Sequence, residues 1–399
     1  MCGIVGYIGN HQAKEYLLNG LEALEYRGYD SAGIAVLHNE TIGLDKVIGR
    51  VERLRKEETN ASLPGTIGIG HTRWATHGSV TKSNSHPHHD EAKNFYVIHN
   101  GIIENYQEIK AYLKKKGVKF YGDTDTEVIP NLIALAYREH QNVEKAFKTA
   151  LKSLRGAYAI VMITSLDKNR VYAAKMSSPL AIGVGEDGMY IGSDAIPIMP
   201  HTHQVVFLED GEGAIVTKDT YELFNIETDE SIERPAELLE IEEEAAEKGD
   251  FPDFMLKEIH EVPQTIRAAM LGRLRAEDEI IKLGGLEEVR DQLDYIDRII
   301  VIACGTSYYA GLVGEYLLEE IANIPVEVQQ ASEFRYRHEP LSRSTAVIVV
   351  SQSGETADTI AALKKLNGSG ILTLGIVNAP GSTLARMTDA GVYCHAGPE

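Results

Sequence analysis

Positive charge is scarce in this chain. Its 39 Lys and Arg are outnumbered by 59 Asp and Glu, a formal net charge of −20 at pH 7. Phosphate backbones are held by clustered basic side chains, so a nucleic-acid partner is not expected. A phosphorylated metabolite is a separate matter, because a local pocket does not need a basic surface. Cysteine is scarcer still: Cys2, Cys304 and Cys394 are the three in 399 residues. Thiols so far apart form neither a disulfide framework nor a CxxC metal pattern, which fits a reducing, cytoplasmic setting. No apolar stretch is long enough to span a bilayer and no basic-plus-apolar leader opens the chain, so no membrane association is expected. Short repeats and low-complexity tracts are absent, and neither GxGxxG nor a Walker pattern occurs where a strand turns into a helix, which argues against a dinucleotide or nucleoside triphosphate.

What is present divides in two. A chain of 399 residues exceeds one compact core, and two domains are the default. The first stretch predicts short strands over residues 2–8, 32–37, 66–70 and 95–98. Helical patterns lie at 12–25, 105–116, 126–139 and 143–154, and a nearly pure β region runs over 156–217. Strands and helices grouped in this way predict layered sheets covered by helices rather than βαβ alternation. An acid-rich run from Glu237 to Asp250 reads as a solvated linker or an exposed helix. An amphipathic helix is predicted over Phe254–Leu274, kinked or broken at Pro263. From Ile299 the pattern becomes strand, helix, strand: 299–303, 308–321, 326–329, 346–350, 357–366 and 371–376. That is a doubly wound parallel sheet by pattern. The expected domains are 2–236, a linker and connecting helix over 237–285, and 286–399.

Cys2 is the residue with most chemistry. If Met1 is removed, one residue carries both a thiol and a free α-amine, a nucleophile and a base. A small apolar residue starting a strand is the plain alternative. Partners follow other strands. Arg73 can clamp a carboxylate with two hydrogen bonds, and Asp125 can hold an ammonium, so together they suit an α-amino acid. The Asn100 amide and the Gly101 N–H can serve a developing oxyanion. Asp123, Thr124 or Asp125 is individually better explained as a helix cap. The tract His86-Pro87-His88-His89 is as well explained by a turn, and no metal or other cofactor is assigned to it. Trp74, the single tryptophan, could belong to the core.

Five segments together carry a resemblance: Cys2–Gly6, Tyr26–Ser31, His71–Gly78, His99–Asn105 and Thr124–Glu127. They resemble the class II glutamine amidotransferase domain, an N-terminal-nucleophile hydrolase with an αββα sandwich. The resemblance implies that Cys2 attacks the amide of L-glutamine, with Asn100 and Gly101 as oxyanion hole. It also implies that Arg73, Thr76, His77 and Asp125 hold the substrate, and that Trp74 sits on a loop closing over it.

Further on, Cys304–Ser307 and Ser351–Thr356 both lie where a parallel strand gives way to a helix, the place where open α/β sheets bind ligands. Hydroxyls and helix-start N–H groups can hold phosphate there without lysine. This half resembles the sugar isomerase (SIS) domain, whose sugar-phosphate contacts would be Thr306, Ser307, Ser351, Gln352, Ser353 and Thr356. Joined, the halves resemble the glutamine-dependent aminotransferases that convert fructose 6-phosphate to glucosamine 6-phosphate, homodimers when full length. Members of that family carry two SIS units. This chain stops at Glu399 inside the first, so the expectation is a truncated first SIS domain and the glutaminase half-reaction only. A non-catalytic sugar-phosphate sensor is the rival from another class. Another amidotransferase would need a diphosphate-binding or ATP-pyrophosphatase loop, and neither appears.

Overall fold

The structure is a computed structural model that describes residues 2–25, 28–56, 63–74, 78–239, 251–275 and 280–397. The chain forms two compact units, Met1–Glu240 and Ile241–Glu399.

In the first unit two antiparallel sheets lie face to face. One has the strand order Glu237–Leu238, Gln204–Phe207, Ala181–Gly185, Gly188–Gly192, Gly3–Gly9, Ile67–Arg73, Ser31–His38, Thr41–Ile48. The other runs Ser231–Ile232, Tyr221–Asn225, Glu212–Val216, Asp167–Met176, Gly156–Thr164, Phe95–Ile103, His88–His89. Strand side chains alternate faces, and here both faces are apolar. Ile4, Ile8, Ile69, Ile98 and Val161 meet between the sheets. Val5, Tyr7, Ile34 and Val36 turn outward onto the Ala13–Ala23 helix. Phe95, Val97, Ile160 and Met162 turn the other way, onto the helices Val128–His140 and Val143–Leu151. Helix, sheet, sheet, helix is thus the layer order. The central strands are covered on both sides, which is why they read as continuous apolar runs rather than as alternating ones.

The sequence pattern stops the first unit at 236, but Glu237 and Leu238 pair with Gln204 and Val205 as an edge strand. From Glu240 to Asp250 the acidic run lies outside the described residues. The strand Thr41–Ile48, unforeseen in the sequence, pairs along its whole length with Ser31–His38.

The second unit holds a five-stranded parallel sheet in the order Val326–Gln330, Arg298–Ala303, Thr345–Ser351, Leu372–Val377, Ala390–Tyr393. Ile299 and Val301 face Leu318 of the Gly305–Ala322 helix. Ile300 and Ile302 face Ile360 and Leu363 of the Ala357–Lys364 helix, on the opposite side. The sheet is therefore doubly wound. Counted within this sheet, the strand order is 2-1-3-4-5, and the direction of winding reverses between Arg298–Ala303 and Thr345–Ser351. The helix Phe254–Met270 runs as one element past Pro263, where a kink or break was expected, and Asp253 caps its start by accepting from Leu256 N at 2.8 Å.

Candidate active site

Strand register brings the first set of residues together. Gly3 pairs with Thr72, so Cys2 falls beside the end of the strand that carries Arg73. Ser31 pairs with Arg73, which puts Asp30 at the same end. Parity then aims the side chains. Cys2 shares the face of Ile4, His71 and Arg73 share the face of Ile69, and Asn100 shares the face of Ile98. All four point into the space between the sheets.

The Cys2 thiol is bracketed by one residue. It accepts from the Trp74 backbone N–H at 3.2 Å and reaches the Trp74 carbonyl at 3.5 Å. Burial pushes the thiol above its ordinary pKa, opposed by the Trp74 N–H and the Arg73 charge. Cys2 is thus held as a thiol that needs a base, not as a standing thiolate. Asn100 Nδ2 donates to the Cys2 carbonyl at 2.8 Å, leaving its second N–H for another acceptor. Gly101 follows with φ +117°. A Cβ there would stand 2.0 Å from the Ala157 carbonyl oxygen, so only glycine fits.

Arg73 is buried, and its guanidinium reaches the carbonyls of Gly78 and Ser79 at 3.3 Å. Burial lowers its pKa, while Cys2, Asp30 and Asp125 lie close enough to pull it back up. Asp125 is buried too, and it does not cap a helix: its Oδ2 accepts from Ile103 N at 2.8 Å. Trp74 is not core. Its side chain is 45% exposed and meets the Tyr29 ring edge-on at 5.6 Å. Thr76 and His77 lie outside the described residues, as do Tyr26 and Arg27.

Sequence reasoning missed the floor under this site. His71, His86, His88 and His99 are all buried, with His71 and His86 stacked at 4.0 Å. His71 Nε2 lies 3.0 Å from Asn100 Oδ1 and 3.1 Å from the His99 carbonyl. His99 Nδ1 meets Thr126 Oγ1 at 2.9 Å, and His88 Nε2 meets Thr124 Oγ1 at 3.1 Å. The His86–His89 tract ends in the short strand His88–His89, and its His86 and His88 are buried. The available signal was parity: His71 and Asn100 continue the inward faces of their strands.

The second set lies at the carboxyl ends of neighbouring strands. Ala303 pairs with Val350, so Cys304–Ser307 and Ser351–Thr356 leave the sheet side by side, at the switch point. Ser351 is turned to its own loop: Oγ accepts from Gly354 N at 3.0 Å and meets Thr356 Oγ1 at 3.2 Å. Ser353 Oγ accepts from Glu355 N at 3.2 Å. Thr306 is exposed, and Ser307, Gln352 and Ser353 are half-buried at the mouth. Cys304 Sγ lies 3.9 Å from Thr359 Oγ1, which joins the two helix starts.

These two halves match two family models, a glutamine amidotransferase domain over residues 71–199 and a SIS domain over residues 293–399. Along its full length the chain is 48% identical to the glutamine–fructose-6-phosphate aminotransferase (isomerising) of Chlorobaculum tepidum and 45% identical to that of Pyrococcus horikoshii. The chain belongs to this aminotransferase family. It spans 66% of the length of the first relative and 65% of the second. Among solved structures, glutamine phosphoribosylpyrophosphate amidotransferase from B. subtilis, complexed with ADP and GMP, is similar at TM-score 0.52. That likeness covers 98% of this chain and 90% of the other, and at 18% identity it speaks for the fold alone. Among the described residues, no helix is long and apolar enough to cross a membrane.

Proposed function

We propose that Cys2 hydrolyses the side-chain amide of L-glutamine, and that in the whole protein the ammonia converts fructose 6-phosphate to glucosamine 6-phosphate. The single observation that carries this is the convergence of Cys2, Asn100 and Arg73 in the gap between the two sheets, with Asp125 in electrostatic reach. The thiol loses its proton to the α-amine freed by removal of Met1, and sulfur attacks the amide carbon. Asn100 and the Gly101 N–H stabilise the oxyanion. The proton passes to the departing ammonia, leaving a glutamyl thioester that water opens to glutamate. Arg73 takes the substrate carboxylate and Asp125 its ammonium, with Thr76 and His77 as further contacts and Trp74 as cover. Thr306, Ser307, Ser351, Gln352, Ser353 and Thr356 form the sugar-phosphate site, supported by two helix starts at a switch point. A homodimer belongs to this reading of the whole protein.

The test is glutamate and ammonia release by a polypeptide of these 399 residues, with the mass of its N-terminus measured alongside. Active material should lack Met1, and Cys2→Ser should lose nearly all turnover, because a hydroxyl is far harder to ionise than a thiol. Full turnover by protein that retains Met1 would remove the α-amine from the mechanism. Sugar-phosphate binding without glutamine hydrolysis would make the chain a sensor instead.

A further inference from the structure

We infer that His71 is a positioning residue that locks the Asn100 carboxamide in the orientation the oxyanion needs. The inference rests on the glutaminase reading and adds a residue to it.

The two ends of the Asn100 amide are held by different partners. Its Oδ1 faces His71 Nε2 at 3.0 Å, and its Nδ2 faces the Cys2 carbonyl at 2.8 Å. His71 Nε2 also faces the His99 carbonyl at 3.1 Å. Two acceptors converge on one ring nitrogen, so that nitrogen must carry the hydrogen. The other, Nδ1, is buried and has no hydrogen-bond partner among the described residues, which suits a bare nitrogen in a neutral ring. The tautomer is therefore set by geometry. Turn the amide over, and an NH2 group would meet the His71 N–H while an oxygen met the Cys2 carbonyl. Both contacts would become repulsive, and two hydrogen bonds in the buried gap would be lost. One orientation survives, and it is the one that keeps an Asn100 N–H beside Cys2. A flipped Asn100 would present oxygen to the developing oxyanion and oppose it. His71 touches neither substrate nor sulfur in this account. It acts through Asn100.

His71 is itself held. It stacks on His86 at 4.0 Å, and the His99 carbonyl that shares its hydrogen belongs to the residue before Asn100. Burial pushes its pKa down to about 3, so the ring stays neutral at any working pH.

The test compares His71→Leu, which removes the donor, with His71→Gln, whose amide nitrogen can reach the ε position. His71→Leu should lower kcat for glutamine hydrolysis about 10- to 100-fold, less than the roughly 10²–10³ of a lost oxyanion donor, with KM within about twofold. His71→Gln should restore most of it. In an Asn100→Ala background, His71→Leu should cost nothing further, because its route to the reaction is gone. Wild-type kcat in His71→Leu overturns the proposal. So does an equal loss in both backgrounds, which marks a merely structural role. If His71→Leu does not fold, nitrogen NMR of histidine-labelled wild type decides. The Nε2–H tautomer at pH 7 is expected, and a Nδ1–H or cationic ring overturns the inference. Absence of glutamine hydrolysis in wild type would strike the parent reading alone, since the NMR result stands without turnover.

Discussion

At the scale of single residues, Arg73 and Asp125 carry the most exposed claim. Both are buried, both are charged, and each has a hydrogen-bond partner inside the protein. A buried charge that is not spent on structure alone is available to an oppositely charged ligand group. Asp125→Asn separates the two duties. An amide oxygen can still accept from Ile103 N, so the loop should hold, while the charge proposed for a substrate ammonium is lost. Losing a desolvated charge contact costs on the order of 2–5 kcal/mol. KM for glutamine should therefore rise on the order of 10²- to 10³-fold in Asp125→Asn and in Arg73→Ala, with melting temperatures near wild type for Asp125→Asn. Steady-state kinetics checks this. Wild-type KM in both variants would mean that these charges serve the fold.

Elements decide whether the second site exists. The loop Ser351–Thr356 closes on Gly354, whose φ is +65° and where a Cβ would stand 1.9 Å from Ser382 Oγ. An alanine there costs roughly 1–2 kcal/mol for the left-handed backbone alone, before the overlap is relieved. Gly354→Ala should lower the melting temperature of the second unit and abolish fructose 6-phosphate binding measured by calorimetry, while glutamine hydrolysis stays at the wild-type level. Sugar-phosphate affinity equal to wild type would show that the loop tolerates another shape and is not the site. Legibility in the sequence also belongs to this scale. Runs such as Ile299–Ala303 are apolar because both faces are covered, and that pattern is local, so the strands could be read directly. The two-residue strands His88–His89, Ser231–Ile232 and Glu237–Leu238 are too short to show a period. Thr41–Ile48 carries Asp45 and Lys46 at its centre, and Lys46 is buried by donating to the Ser85 carbonyl at 2.7 Å. Only the folded neighbour reveals that. The histidine floor was hidden for the same reason. Its members come from three segments of the sequence; strand parity marks His71 alone as inward, and nothing local marks His86, His88 or His99 as buried.

For the whole molecule, the four buried imidazoles make stability depend on pH in one unit. Burial pushes His71, His86, His88 and His99 below their ordinary range, His71 to about 3. In the unfolded chain each takes up a proton near pH 6.5. Between about pH 6.5 and 3 the unfolded chain thus binds more protons than the folded one, and stability must fall as pH falls through that window. Above it the contribution is fully present. Each histidine can add a slope of up to about 1.4 kcal/mol per pH unit. All four lie in the Met1–Glu240 unit, and so does Trp74, the single tryptophan. Tryptophan fluorescence therefore follows the unit that carries the histidines. The urea midpoint read by Trp74 should drop by well over 1 M between about pH 7.5 and pH 5, since the slopes of His71, His86 and His88 over about 1.5 units outweigh a typical urea dependence of about 1–3 kcal/mol per molar. A Trp74 midpoint that stays constant over that range would mean that the imidazoles are solvated in solution, and the buried floor beneath Asn100 would go with them.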